Sequence, residues 1–125
     1  MSFPVRAITL DLDDTIWPIA PAIVRAEAAL DAWLTGHAPR AAAMWPLPER
    51  QRLRELANTE RPRLVHDMTA QRRWMLERML ALAGEDATLT GRAYDAYFAA
   101  RCDVEHYADS VPALERLAAR LPLAA

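Results

Sequence analysis

The sequence predicts a mostly α-helical chain hung on a parallel β-α-β unit, and three observations lead there. A short apolar run, Arg6-Ala7-Ile8-Thr9-Leu10, stands directly before the acidic cluster Asp11-Leu12-Asp13-Asp14-Thr15. Helical periodicity then fills most of the stretch from Pro21 to Arg101. A helix around Pro112 finally feeds a second apolar run, Leu121-Pro122-Leu123-Ala124-Ala125. Strand, helical excursion, helix and strand in that order describe a crossover, the connection that parallel strands require.

The first run is apolar and partly β-branched, as suits a strand covered on both faces, and the chain from Met1 to Arg6 is expected to enter it at once. Side chains alternate along a strand, so Asp11 and Asp13 are expected on one side of its end and Leu12 and Asp14 on the other. Ligands of such sheets bind at the carboxyl ends of the strands. Two carboxylates there repel each other, and a divalent cation is the simplest compensation.

Ile16-Trp17-Pro18-Ile19-Ala20-Pro21 reads as a loop delivering the chain into a helix, with Pro21 in its first turn. Over Ala22 to Thr35 the residues Ile23, Ala26, Leu30, Trp33 and Leu34 recur at helical spacing, and Gly36 stands where a C-terminal cap is expected. His37 to Pro48 reads as a connecting loop with room for one helical turn. Glu49 to Asn58 predicts a short charged helix with Leu53 and Leu56 inward, broken by Thr59-Glu60-Arg61-Pro62. In the longest periodic segment Leu64, Met68, Gln71, Met75, Met79 and Leu82 form one stripe, widened by Val65, Leu76 and Leu80 and closed by Gly84. Its methionines and Trp74 read as core filling. Glu85 to Arg101 predicts a further helix with Ala87, Thr90, Tyr94, Tyr97 and Phe98 inward, and Gly91 offers a place for a close helix crossing. Val104 to Ala108 reads as extended or irregular and carries the chain back toward the strand end. Asp109 or Ser110 is then expected to cap a helix whose buried stripe is Leu114, Leu117 and Ala118.

The 125 residues suffice for one domain with a hydrophobic core, and 53% hydrophobic against 26% charged residues argues against long disorder. A net charge of -2 gives no general affinity for nucleic acid. No apolar run approaches the roughly 20 residues of a membrane-spanning helix, so neither nucleic acid nor a membrane is an expected partner. Cys102 stands alone, and with no signal peptide in view the expected compartment is the reducing cytoplasm.

At Asp11-Leu12-Asp13-Asp14-Thr15, preceded by Ala7-Ile8-Thr9-Leu10, the chain resembles the haloacid dehalogenase-like hydrolase superfamily, whose first motif is Asp-x-Asp-x-Thr closing an apolar strand. The stretch from about Pro21 to Arg101 resembles the α-helical cap that one large subgroup inserts after that motif, and Ala108 to Leu117 is similar to the helix by which the subgroup re-enters its core. The run His66-Asp67-Met68-Thr69 adds a likeness to bacterial phosphatases acting on flavin mononucleotide and on phosphorylated ribitylaminouracil. The resemblance implies an α/β fold, a Rossmann-like core with a helical cap. Residues 1–20 would form the first strand and catalytic loop, 21–103 the cap, and 104–125 the return to the core with a second strand cut off at the C-terminus. The family's second-motif Ser or Thr, its Lys and its downstream acidic pair would lie beyond Ala125, so this chain alone is expected to be inactive.

The resemblance further implies a magnesium-dependent phosphatase of a small phosphorylated metabolite. Asp11 is expected as the nucleophile that forms an aspartyl phosphate, and Asp13 as general acid and then general base. The Asp11 side chain and the Asp13 backbone carbonyl are the expected magnesium ligands, and Thr15 is expected to orient Asp13 through its hydroxyl. An acid at position 13 favours phosphatase chemistry over dehalogenation, because a departing halide needs no proton. Trp17 reads as loop packing rather than a substrate gate. His66 and Asp67 read as a surface imidazole and a helix-start cap, and Arg61, Arg63, Arg72 and Arg73 as a solvated charged face. Cys102 is expected buried or half-buried. The alternative is a non-catalytic helical interaction module, its unpaired strand and apolar helix faces covered by a partner or by self-association. A phospho-acceptor receiver domain would alternate strands and helices throughout, and the helical stretch from Pro21 to Arg101 argues against it.

Overall fold

Leu30 and Leu34 meet Leu76, Met79 and Leu80 in the interior, and these five are the largest side chains sealed completely from solvent. The computed structural model that shows this describes residues 4–125; the expected strand entry at Met1 to Phe3 lies outside the described residues. The elements run β1 (Ile8–Thr9), α1 (Ile19–His37), α2 (Pro39–Met44), α3 (Leu47–Glu60), α4 (Met68–Leu82), α5 (Thr90–Cys102), α6 (Ser110–Ala118) and β2 (Leu123–Ala124). Short 3-10 turns at Pro62–Leu64 and Ala87–Leu89 precede α4 and α5. Among the described residues no helix is long and apolar enough to cross a membrane.

The core follows from helical spacing. Ala22, Ala26, Leu30 and Leu34 recur every fourth residue and place one buried stripe along α1. That stripe packs most extensively on α5, which supplies Ala93 and Tyr97. The middle of α4 adds Met75, Leu76, Met79 and Leu80, and α3 adds Leu53 and Ala57. Each fully buried leucine contributes about 1.5–3 kcal/mol. The helices therefore hold most of the buried apolar surface.

Several expected inner residues lie outside this core. Met68 and Leu82 are the first and last residues of α4 and are exposed, as are Val65, Leu56 and Phe98. The inward set of α3 is Arg50, Leu53 and Ala57, which turns Leu56 toward solvent. Gly36 is no cap: α1 runs through it to His37, and Ala38 ends the helix by donating its N–H to the Leu34 carbonyl at 2.7 Å. The following Pro39 explains this, since a residue before proline is pushed out of helical geometry while proline itself suits a first turn. Ala38 thus ends α1 and begins α2, a six-residue helix where a loop with room for one helical turn was expected.

Two expected caps are present. The Asp67 carboxylate accepts the Ala70 N–H at 2.8 Å, and Gly84 ends α4 at φ 69° with the Glu85 N–H bonded to the Leu80 carbonyl at 2.8 Å. Arg40 of α2 reaches this corner and holds the Glu85 carboxyl below the usual carboxylate range.

The two strands are parallel, with Ile8 opposite Leu123 and Thr9 opposite Ala124. The Ile8 N–H donates to the Pro122 carbonyl at 3.0 Å and the Leu10 N–H to the Ala124 carbonyl at 2.9 Å. The expected burial on both faces is not found: Arg6, Ala7 and Thr9 are exposed, and Ile8 and Leu10 only half-buried. β2 is the only partner of β1 among the described residues, and the pairing spans two residues. The α6 stripe is also incompletely covered, with Leu114 and Leu117 half-buried and Ala118 exposed.

Between β1 and α1 the chain makes a tight turn. Ile16 N–H bonds to the Leu12 carbonyl at 2.8 Å and Asp14 N–H to the Trp17 carbonyl at 2.7 Å, with Asp14 itself at φ 59°. Its carboxylate accepts the Ile19 N–H at 2.9 Å, satisfying a free donor at the start of α1. Aspartate and asparagine tolerate the left-handed region better than other non-glycine residues.

Urea denaturation separates these roles. Gly36→Ala should stabilise the chain by roughly 0.5–1 kcal/mol, because an added Cβ meets nothing within 4 Å in a helical position. Gly84→Ala should cost about 1–2 kcal/mol from its positive φ. A loss of stability in Gly36→Ala would overturn the reading of α1's end. Asp14→Ala should likewise cost about 1–2 kcal/mol, with Asp14→Asn within about 0.5 kcal/mol of the parent. Equal losses in both would deny the carboxylate its place at the start of α1.

Candidate active site

The strand end, the turn after it and the last turn of α5 converge on Asp13. Trp17 donates its indole N–H to Asp13 Oδ1 at 3.0 Å, and Arg101 Nη2 lies 3.0 Å from Oδ2 and 3.2 Å from Oδ1. Trp17 is half-buried and meets His106 edge-on, with ring centroids 5.7 Å apart. It both packs the loop and holds a carboxylate. Asp11, two residues beyond β1, is exposed. Thr15 is exposed too, and the partners of Asp13 are Trp17 and Arg101 in place of the expected Thr15 hydroxyl.

The loop is anchored from the far end of the sequence. The Ile16 carbonyl accepts the Tyr107 N–H at 3.0 Å and the Ser110 hydroxyl at 2.9 Å, and Ile16 and Ser110 are both buried. Ser110 therefore does not cap its own helix, nor does the Asp109 side chain. The serine spends its hydroxyl on the motif loop because that carbonyl is buried and polar.

Asp13 and Arg101 stand in the wall of an open cavity of about 760 Å³ lined mainly by α1, α3, α4 and α5. Its polar wall contains Arg50, only 4% exposed and bonded to Asp31 at 3.1 Å, with Glu27 at 3.7 Å. Arg72 bonds Glu27 and the Tyr97 hydroxyl, each at 2.9 Å, and lies over the Tyr97 ring. Such buried guanidinium groups are tolerated because carboxylates face them. The apolar wall includes Ile23, Leu47 and Met68, side chains exposed in spite of their chemistry. Exposed apolar surface lining a concavity is what a ligand with an apolar body covers.

The remaining candidates sort plainly. Arg72 is not on a solvated face, since Glu27 and Tyr97 hold it inside. Arg61 and Arg63 line a separate depression beside Trp74, Arg73 and His66 are exposed, and Asp67 is the α4 cap. Cys102 is exposed, contrary to expectation, and is the last residue of α5. Among the described residues no group of three or more His, Cys, Asp or Glu side chains could hold a metal ion. Sequence reasoning missed Arg101, which lies 88 residues from Asp13, and no local pattern marks it. It missed Asp14 as the start of α1, although an acidic residue before a proline-flanked helix is a usable signal.

No family model matches the chain. It is 31% identical over 127 residues to 5-amino-6-(5-phospho-D-ribitylamino)uracil phosphatase YigB of Escherichia coli, across 97% of this chain and 52% of that protein. The crystal structure of 2-haloacid dehalogenase from Pseudomonas syringae pv. Tomato superposes with a TM-score of 0.87 at 35% identity, across 96% of this chain and 54% of that one. The chain thus spans about half the length of the relatives it matches. In sequence and in fold, with its parallel strand pair, its acidic motif and its helical excursion, the chain is similar to haloacid dehalogenase-like hydrolases over about half of their length.

Proposed function

We propose that the protein is a magnesium-dependent phosphomonoester hydrolase acting on a small phosphorylated metabolite. The observation that supports this best is Asp13, two residues past Asp11, standing where the strand end opens into the cavity. In this reading residues 21–103 act as a cap over a core that includes 1–20 and 104–125, and the leaving group occupies the cavity. A ribitylaminouracil body, named for the E. coli relative, is the first candidate, since it offers a flat ring and polar hydroxyls to a wall of Met75, Tyr97 and Arg54.

The Asp11 carboxylate attacks phosphorus in line as the bond to the leaving oxygen breaks, and Asp13 gives that oxygen a proton. Asp13 then takes a proton from water, whose oxygen attacks the aspartyl phosphate and frees Asp11 and inorganic phosphate. The exposed Asp11 carboxylate and the Asp13 carbonyl are hard oxygen donors of the kind magnesium takes alongside substrate phosphate and waters, so they fit it. Bound there, magnesium would neutralise charge on the phosphate.

A second reading comes from the P. syringae neighbour, a dehalogenase at 35% identity. There Asp11 would attack carbon, and the departing halide would need no proton from Asp13. The gene product should be assayed with magnesium against phosphomonoesters and against 2-chloropropionate. Phosphate release is expected, abolished in Asp11→Asn and lowered about 10²–10⁴-fold in Asp13→Asn. Chloride release insensitive to Asp13→Asn, with no phosphate release, would sink the phosphatase reading.

A further inference from the structure

We propose that Trp17 and Arg101 form an oxyanion-binding pair which the Asp13 carboxylate fills in the absence of substrate, and from which a substrate phosphate displaces it. The inference rests on the reading of Asp13 as acid and base. Arg101 is then a positioning residue for Asp13 as well as a contact for phosphate.

The donor set comes first. A neutral indole N–H at 3.0 Å and a guanidinium at 3.0 and 3.2 Å converge on one carboxylate, the combination that also suits a phosphate oxygen pair. These donors are held by elements other than the Asp13 side chain. Trp17 is fixed by its backbone pairing with Asp13 and by the edge of His106, and Arg101 projects from the last turn of α5 with its side chain 24% exposed. If the carboxylate turns away, the site for an anion remains.

The carboxylate is also free to leave. Its side chain is 47% exposed, and ion pairs of that exposure are weak enough to exchange. The charges of the cavity favour such an exchange. Arg50 and Arg72 are matched by Glu27 and Asp31, and of the two other arginines lining the cavity, Arg54 and Arg101, Arg101 is the one paired with Asp13. Arg54 has no ion-pair partner among the described residues. Removing the Asp13 charge from the pair leaves two cations beside an open cavity, a setting for a phosphate dianion.

The consequence is a coupling. Held by three N–H···O contacts, Asp13 has both oxygens engaged as acceptors and must give up some of these contacts to turn toward a leaving group. Phosphate takes those contacts and releases Asp13 at the moment it is needed. Without substrate the acid stays fastened.

Titration of the 125-residue chain with inorganic phosphate at low salt, without magnesium, tests this, followed through the indole N–H resonance of Trp17. Asp13→Asn should tighten phosphate about fivefold or more by removing a competing charge, a gain that misfolding cannot imitate. Arg101→Met should weaken phosphate about tenfold and Arg101→Lys should recover part of the loss. Unchanged or weaker phosphate binding in Asp13→Asn, or parent-like binding in Arg101→Met, would overturn the proposal. The two readings fail separately. A gene product that releases phosphate from esters while Asp13→Asn leaves phosphate affinity unchanged refutes only the displacement, and Arg101-dependent phosphate binding without turnover refutes only the phosphatase.

Discussion

The position of the acidic motif depends on the return of the chain to its starting point. Ile8 and Leu10 hydrogen-bond to Pro122 and Ala124, and the Ile16 carbonyl is held by Tyr107 and Ser110. Parallel strands cannot be joined by a tight turn, so everything between must act as a crossover that ends beside its own beginning. Four such hydrogen bonds, each worth about 1 kcal/mol net, could not organise a hundred residues. The helical core supplies the remainder. α1 begins at the carboxylate of Asp14 and α5 carries Arg101 in its last turn, so packing of Leu30 and Leu34 against their neighbours sets where both flanks of Asp13 stand.

This arrangement explains why a stable interior and an exposed site coexist. The buried apolar residues gather in the middle of the helices, while Ile23, Leu47 and Met68 are left at the cavity wall. The same helices bring Arg50, Arg72, Glu27 and Asp31 together on the polar side of that wall. Burying those charges is costly, and apolar replacements of similar volume would commonly be as stable or more so. Their presence beside Asp13 fits a cavity that must bind something polar.

Much of the fold was legible because it depends on local spacing. The fourfold repeat of α1, the cap at Asp67, the glycine at 84 and the strand before Asp11 all announce themselves within a few residues. The acidic motif was legible for the same reason, and its chemistry follows from residue type and family likeness. What escaped was set by distant partners. Ser110 looked like a cap because nothing local shows that Ile16, 94 residues away, needs its hydroxyl. Arg72 looked solvated because Tyr97 and Glu27 reach it from other helices. Gly36 was misread for a nearer cause, since Pro39 makes α1 end at His37, one residue beyond the glycine.

The parallel closure of β1 on β2 is the central claim, and amide hydrogen exchange along Ile8, Thr9 and Leu10 tests it most directly. The pairing uses the N–H groups of Ile8 and Leu10 and gives the intervening Thr9 N–H no partner in β2. Slow exchange at Ile8 and Leu10 with fast exchange at Thr9 is the predicted pattern, and it should vanish when residues 121–125 are removed. Equally fast exchange at all three, or protection that survives the removal, would contradict the account.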